Sequence, residues 1–130
     1  ILNPDGDTGP YVLYTYARAS SILRKAQAPT SFPSQAGKST LLESKEEQEL
    51  MKGLERFPKT LIAAAQEFEP SYIATTLLEI SKLFNRFYHE HRVIQEDEAL
   101  QMSRLKLVSA TRQVLKNGLH LLGIQEVEEL

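Results

Sequence analysis

Tyr11, Tyr14 and Arg18 fall at positions i, i+3 and i+7, so a helix would carry two aromatic rings and a guanidinium on one face. Lys25 continues that face two turns further on. A tyrosine ring can stack on an unpaired nucleobase, and a guanidinium can pair with a phosphate or a base edge. A second such grouping stands in Asn85-Arg86-Phe87-Tyr88-His89-Glu90-His91-Arg92, where Tyr88 follows Phe84 by one turn and precedes Arg92 by one turn. The same spacings suit amphipathic packing with the phenol hydroxyls at the surface. They also suit the tyrosine and arginine anchors of a protein interface. Spacing alone leaves base stacking, packing and protein docking open.

Other chemistries fail on spacing. His89 and His91 are two apart with Glu90 between them, and His120 stands alone along the chain. Residues two apart on a helix point in different directions, unlike the i, i+4 pair of a helical zinc site, so no metal site is expected. Gly37-Lys38-Ser39 has the ending of a phosphate-binding loop, but the motif needs a glycine where Phe32 stands, and no strand precedes it. Lys38 is expected to be a loop lysine within reach of an RNA backbone. No nucleophile elbow, cysteine or paired carboxylate offers a catalytic centre. The acidic run Glu43 to Glu49 is expected to be a solvated helix face.

Composition narrows the class. The chain has 130 residues, 42% hydrophobic and 25% charged, which suits one folded domain over residues 1–130 rather than a disordered segment. Cysteine is absent, which removes disulfides and fits a reducing, cytoplasmic setting. No apolar run approaches the roughly 20 residues of a membrane span, and no membrane partner is expected. The formal net charge of -2 speaks against general nucleic-acid coating, which rests on a strong basic excess, but not against a local basic surface.

The elements that must position these residues read as an all-α fold, a single bundle of about five helices. The first helix is expected to start at Asp7 or Thr8 with Pro10 in its first turn, and Val12, Tyr16, Ala19, Leu23 and Ala26 form its core stripe. Pro29, Pro33 and Gly37 then make a loop up to Thr40. A capping box at Ser44 and Glu47 opens a second helix with the stripe Leu50, Leu54 and Phe57. Pro58 is expected to start a short third helix through Leu61, Ile62, Ala65 and Phe68. The fourth follows Pro70 and carries Ile73, Leu77, Ile80, Phe84 and Phe87. Asp97 caps the fifth, which holds Leu100, Leu107, Val108, Thr111, Val114 and Leu115. Asn117-Gly118 marks either its end or a bend, and Gly123 a stop.

Three ordered motifs then point to a family. Gly6-Asp7-Thr8-Gly9-Pro10-Tyr11 with Tyr14 and Ala17-Arg18 resembles the opening of the arginyl-tRNA synthetase C-terminal domain, of the DALR anticodon-binding type. Leu83-Phe84-Asn85, followed by Phe87-Tyr88-His89, resembles its central long helix. Arg104-Leu105, Val114-Leu115, Asn117-Gly118-Leu119 and Leu122-Gly123-Ile124 resemble its closing helix. The resemblance implies a fragment that grips the anticodon stem-loop of the arginine tRNA as part of a monomeric, ATP-dependent class I ligase. The alternative is a helical protein-interaction module without RNA specificity. The family's His-Ile-Gly-His and Lys-Met-Ser-Lys-Ser signatures do not occur here, so the catalytic domain, with its ATP and magnesium, would precede Ile1. No cofactor is expected within the fragment.

By position, the resemblance implies that Tyr11, Arg18 and Tyr88 meet the anticodon loop; from their helix faces and charge, Tyr14, Lys25, Arg86 and Arg92 are expected as further tRNA contacts. The family chain commonly closes in a methionine that reaches the anticodon; here Leu130 stands in its place. All arginine codons share a middle guanine, so the middle anticodon cytosine is the base expected to be read.

Overall fold

Leu50, Leu54, Phe57, Leu61 and Ala64 follow one another at spacings of four, three, four and three, and Ile73, Leu77, Ile80, Phe84 and Phe87 repeat the same rhythm. Each set draws one apolar seam along a helix, and two such seams pack against each other at a shallow angle. The computed structural model describes residues 8–29, 32 and 41–125. There the chain forms four helices: α1 (Thr8–Lys25), α2 (Lys45–Gln66), α3 (Ser71–Glu90) and α4 (Glu98–Leu121). The described residues contain no strand.

Four helices replace the expected five because the segments either side of Pro58 are one helix. Pro58 has no N–H for the Leu54 carbonyl, an interruption that costs about 3 kcal/mol in an isolated helix. Its ring faces solvent, and the seam from Leu50 to Ala64 runs past it in phase. Packing on α3 therefore outweighs the local break. The expected stripe beyond Pro58 was also misphased: Leu61 and Ala64 face the core, whereas Ile62 and Ala65 face water. Phe68 lies past the helix end, 91% exposed. It takes the left-handed φ of 53° that closes α2, a position where glycine is usual.

Pairings along the helices set the topology. Glu46 meets His91, Arg56 meets Glu79, and Thr60 meets Thr76, so α2 and α3 run antiparallel. Tyr11 meets Asn85 and Arg18 meets Tyr88, so α1 runs parallel to α3. Arg104 reaches the Arg92 carbonyl, and Gly118 lies against Leu77, so α4 runs antiparallel to α3. The result is an up-and-down bundle. Its core gathers Val12, Tyr16, Leu50, Leu77, Ile80, Phe84, Phe87, Val108 and Leu115, each with no measurable exposure.

Gly118 is not the end of α4, since the helix continues to Leu121 and stops at Gly123, φ 76°. A Cβ on Gly118 would stand 2.5 Å from Leu77 Cδ2 and 3.0 Å from its Cγ. Leu77 is fully buried and has nowhere to swing. Gly118→Val is expected to cost about 1–3 kcal/mol by overpacking, read as a lower urea midpoint at unchanged slope.

The capping box at the start of α2 is present in both halves: the Ser44 hydroxyl accepts from the Glu47 N–H at 3.1 Å, and Glu47 Oε1 accepts from the Ser44 N–H at 3.1 Å. Glu47 Oε2 also accepts from Arg104 Nε at 2.9 Å, which ties α2 to α4. Burial pushes the Glu47 carboxyl upward, but the hydrogen bonds from Ser44 and Arg104 outweigh it and hold it below its ordinary value. A depressed folded-state pKa contributes stability that is present above the unfolded-state pKa and lost as pH falls through the folded one. Glu47→Gln is expected to cost about 1–3 kcal/mol at neutral pH. It should also flatten the loss of stability below the ordinary carboxylate range, as read by urea unfolding at a series of acid pH values.

Candidate nucleic-acid interface

Because α1 runs alongside the second half of α3, the outer face of α1 meets the last two turns of α3. The Arg18 guanidinium sits between two rings, its Cζ 5.3 Å from the Tyr14 centroid and 4.8 Å from the Tyr88 centroid. Such contacts are worth about 0.5–1 kcal/mol each at exposed sites and more when water is excluded. Arg18 Nη1 donates to Asn85 Oδ1 at 2.7 Å. Asn85 Nδ2 in turn donates to the Tyr11 hydroxyl at 3.1 Å and to Thr15 Oγ1 at 2.9 Å. Thr15 closes the chain by donating to the Tyr11 carbonyl at 2.8 Å.

This cluster forms one wall of an open cleft of about 970 Å³. Tyr14, Arg18, Arg24 and Lys25 come from α1; Tyr88, His89 and Glu90 come from α3; Arg92 and Ile94 come from the segment leading to α4. Among the described residues, four cationic side chains and one carboxylate, Glu90, line the cleft. A slightly acidic chain thus presents a local basic surface. His91 is the C-cap of α3, its backbone N–H donating to the Phe87 carbonyl, while its ring stacks on Phe87 at 6.0 Å with Nε2 at 2.8 Å from Glu46 Oε1. That hydrogen bond is the chief reason the Glu46 carboxyl lies below its ordinary value.

The tyrosine rings differ in how they are held. Tyr14 is 54% exposed and Tyr88 40% exposed, whereas Tyr11 is half-buried with its hydroxyl engaged by Asn85. Phe84, fully buried, lies parallel to the Tyr88 ring, 7° between planes and 6.4 Å between centroids. Core packing therefore fixes the base of the exposed ring.

The cleft gathers Tyr14, Arg18, Lys25, Tyr88 and Arg92, with Tyr11 behind them. Arg86 is not brought there; it points to α2, with Nη1 3.7 Å from Glu49 Oε2. Leu130, Lys38 and most of the loop from Pro29 to Thr40 lie outside the described residues. Spacing did not single out Asn85, because its role depends on three partners from another helix. Arg24 was also passed over in the sequence, where the spacing argument ran through Tyr11, Tyr14, Arg18 and Lys25.

A family model, the DALR anticodon binding domain, matches residues 12–130. This chain belongs to the DALR anticodon-binding domain family. Among curated proteins it is 49% identical over 133 residues to an arginine–tRNA ligase of Clostridium perfringens and 45% identical over 131 residues to one of Clostridium kluyveri. In each case the match covers all of this chain and 23% of the relative. The chain thus spans about a quarter of the length of those relatives. Among solved structures, Thermus thermophilus arginyl-tRNA synthetase superposes with a TM-score of 0.77 at 34% identity. The Plasmodium falciparum arginyl-tRNA synthetase superposes with 0.79 at 28% identity. Each covers 98% of this chain and 22% of the other.

Proposed function

We propose that this DALR domain grips the anticodon stem-loop of the arginine tRNA as part of an arginine–tRNA ligase. The observation that carries the reading is the Arg18 guanidinium held between Tyr14 and Tyr88 on the wall of an open basic cleft. Anticodon bases can be splayed from their loop, and aromatic rings and guanidinium planes are the surfaces on which splayed bases stack. Arg24, Lys25 and Arg92 supply positive charge for the backbone, which positions the loop without reading it. The base reading falls to Tyr14, Arg18 and Tyr88, with the middle cytosine as the base most strongly read. Tyr11 acts from behind by holding Asn85.

The relatives' names and their fourfold greater length support the larger assignment. ATP and magnesium then belong to the remaining part of a monomeric, cytoplasmic enzyme. This chain supplies affinity and selection of the tRNA, and no bond-making step passes through it. Charge on the cleft brings the phosphates in, stacking fixes the splayed bases, and the grip on the loop orients the acceptor end toward the catalytic part. Each stacked base contributes roughly 1–3 kcal/mol.

The test is a titration of this chain with an arginine anticodon stem-loop and with one whose middle cytosine is replaced, at two salt concentrations. Tighter binding to the cytosine form, weakened by salt through counterion release, is the expected result. Equal affinity for both loops would sink base reading. A salt-insensitive association with protein and none with RNA would instead make the cleft a docking face.

A further inference from the structure

An arginine side chain at a surface has many rotamers, and ordering it on binding costs about 0.5–1.5 kcal/mol. In this fold that ordering is already present before RNA arrives. The Asn85 amide has both ends used: Oδ1 accepts from Arg18 at 2.7 Å, and Nδ2 donates to Tyr11 at 3.1 Å and Thr15 at 2.9 Å. Only one orientation of the amide satisfies these partners, because a guanidinium cannot accept a hydrogen bond and Oδ1 cannot donate one. Thr15 Oγ1 has given its proton to the Tyr11 carbonyl and can only accept, so it sets the amide, and the amide sets the guanidinium.

We propose that Asn85 is the positioning residue of the interface, holding the Arg18 guanidinium between Tyr14 and Tyr88 so that an incoming nucleotide meets a preset planar cation. This rests on the anticodon-binding reading for its consequence, though the positioning itself is a property of the protein alone. Asn85 touches no base; it acts through Arg18. Its neutrality matters as well as its shape. A carboxylate at the same place would hold Arg18 at least as firmly and cancel the charge that phosphate needs.

Three substitutions in the full chain test this. In the protein alone, NMR should show the Arg18 side-chain protons displaced by the ring currents of Tyr14 and Tyr88, and Asn85→Ala should abolish that displacement. If the displacement persists, the proposal is overturned, whatever the RNA result. In titrations with the anticodon stem-loop, Asn85→Ala should weaken binding about two- to tenfold and keep the dependence on salt. Asn85→Asp should keep the ring-current signature yet weaken binding and lower the salt slope by about 0.7, the loss of one phosphate contact to a single strand. Combined with Arg18→Ala, Asn85→Ala should add nothing further. A full additional loss in that background would make Asn85 a scaffold residue and overturn the proposal. No RNA binding by the wild type would sink the functional reading while the NMR arm still decides the positioning.

Discussion

Arg18→Ala is expected to weaken binding of the anticodon stem-loop about tenfold to hundredfold, or roughly 1.4–2.8 kcal/mol, while leaving the fold nearly as stable. The magnitude follows from what the guanidinium does at once: it carries charge, it stacks on two rings, and it occupies the Asn85 carbonyl oxygen. Charge-assisted hydrogen bonds to phosphate are about twice as strong as neutral ones. The stability cost is small because Arg18 is half-buried beside open solvent and buries little apolar surface. Isothermal titration and urea unfolding on the same variant separate the two quantities. Arg18→Lys should restore part of the affinity and most of the salt slope, because it returns the charge without the plane. Should Arg18→Ala lower the urea midpoint and leave RNA affinity intact, the guanidinium would be a structural tie between α1 and α3.

Phe84→Ala is expected to destabilise the domain by about 3–5 kcal/mol. Phe84 is fully buried on α3, tilted against Phe87 at 6.0 Å and parallel to Tyr88 at 6.4 Å. Removing its ring opens a cavity where α3 meets its neighbours, and close-packed interiors relax only in part. Against a usual total of about 5–15 kcal/mol this is a large fraction, measurable as a fall in the urea midpoint. Phe84→Leu keeps most of the volume and should cost less. It should still weaken stem-loop binding, because the Tyr88 ring loses the flat surface behind it. A Phe84→Leu variant that binds RNA like the wild type would show that Tyr88 needs no such backing.

Both predictions join the core to the cleft, and the sequence shows that join unevenly. Ile73, Leu77, Ile80, Phe84 and Phe87 were legible as one buried stripe because every member repeats at the helical period, and the structure buries all five. Val12, Tyr16 and Ala19 were legible for the same reason. The face shared by Tyr11, Tyr14, Arg18 and Lys25 followed from spacing alone; Tyr14, Arg18 and Lys25 line the cleft, and Tyr11 lies behind them, bound to Asn85. The capping box at Ser44 and the N-cap at Asp97 were local and were found in place.

The misreadings share a cause. Pro58 sent the strongest local signal for a break, yet α2 runs through it, since a seam continuous from Leu50 to Ala64 packs along α3. Gly118 looked like punctuation and is instead the place where α4 approaches Leu77. Arg86 shared a helix with Tyr88 but faces Glu49 on α2.

By itself, then, the sequence determined the buried stripe of α3 and the first part of those of α1 and α2, where each of the four helices starts, and which aromatic and cationic groups share the outer face of α1. Those follow from backbone period and local hydrogen bonding, which act over one or two turns. Only the tertiary structure decided that α1 lies parallel to α3, so that Tyr14 and Tyr88, 74 positions apart in the sequence, close on one guanidinium. It alone decided that Asn85 holds that group in place, because a side-chain amide has no partner to choose until three others arrive from a different helix.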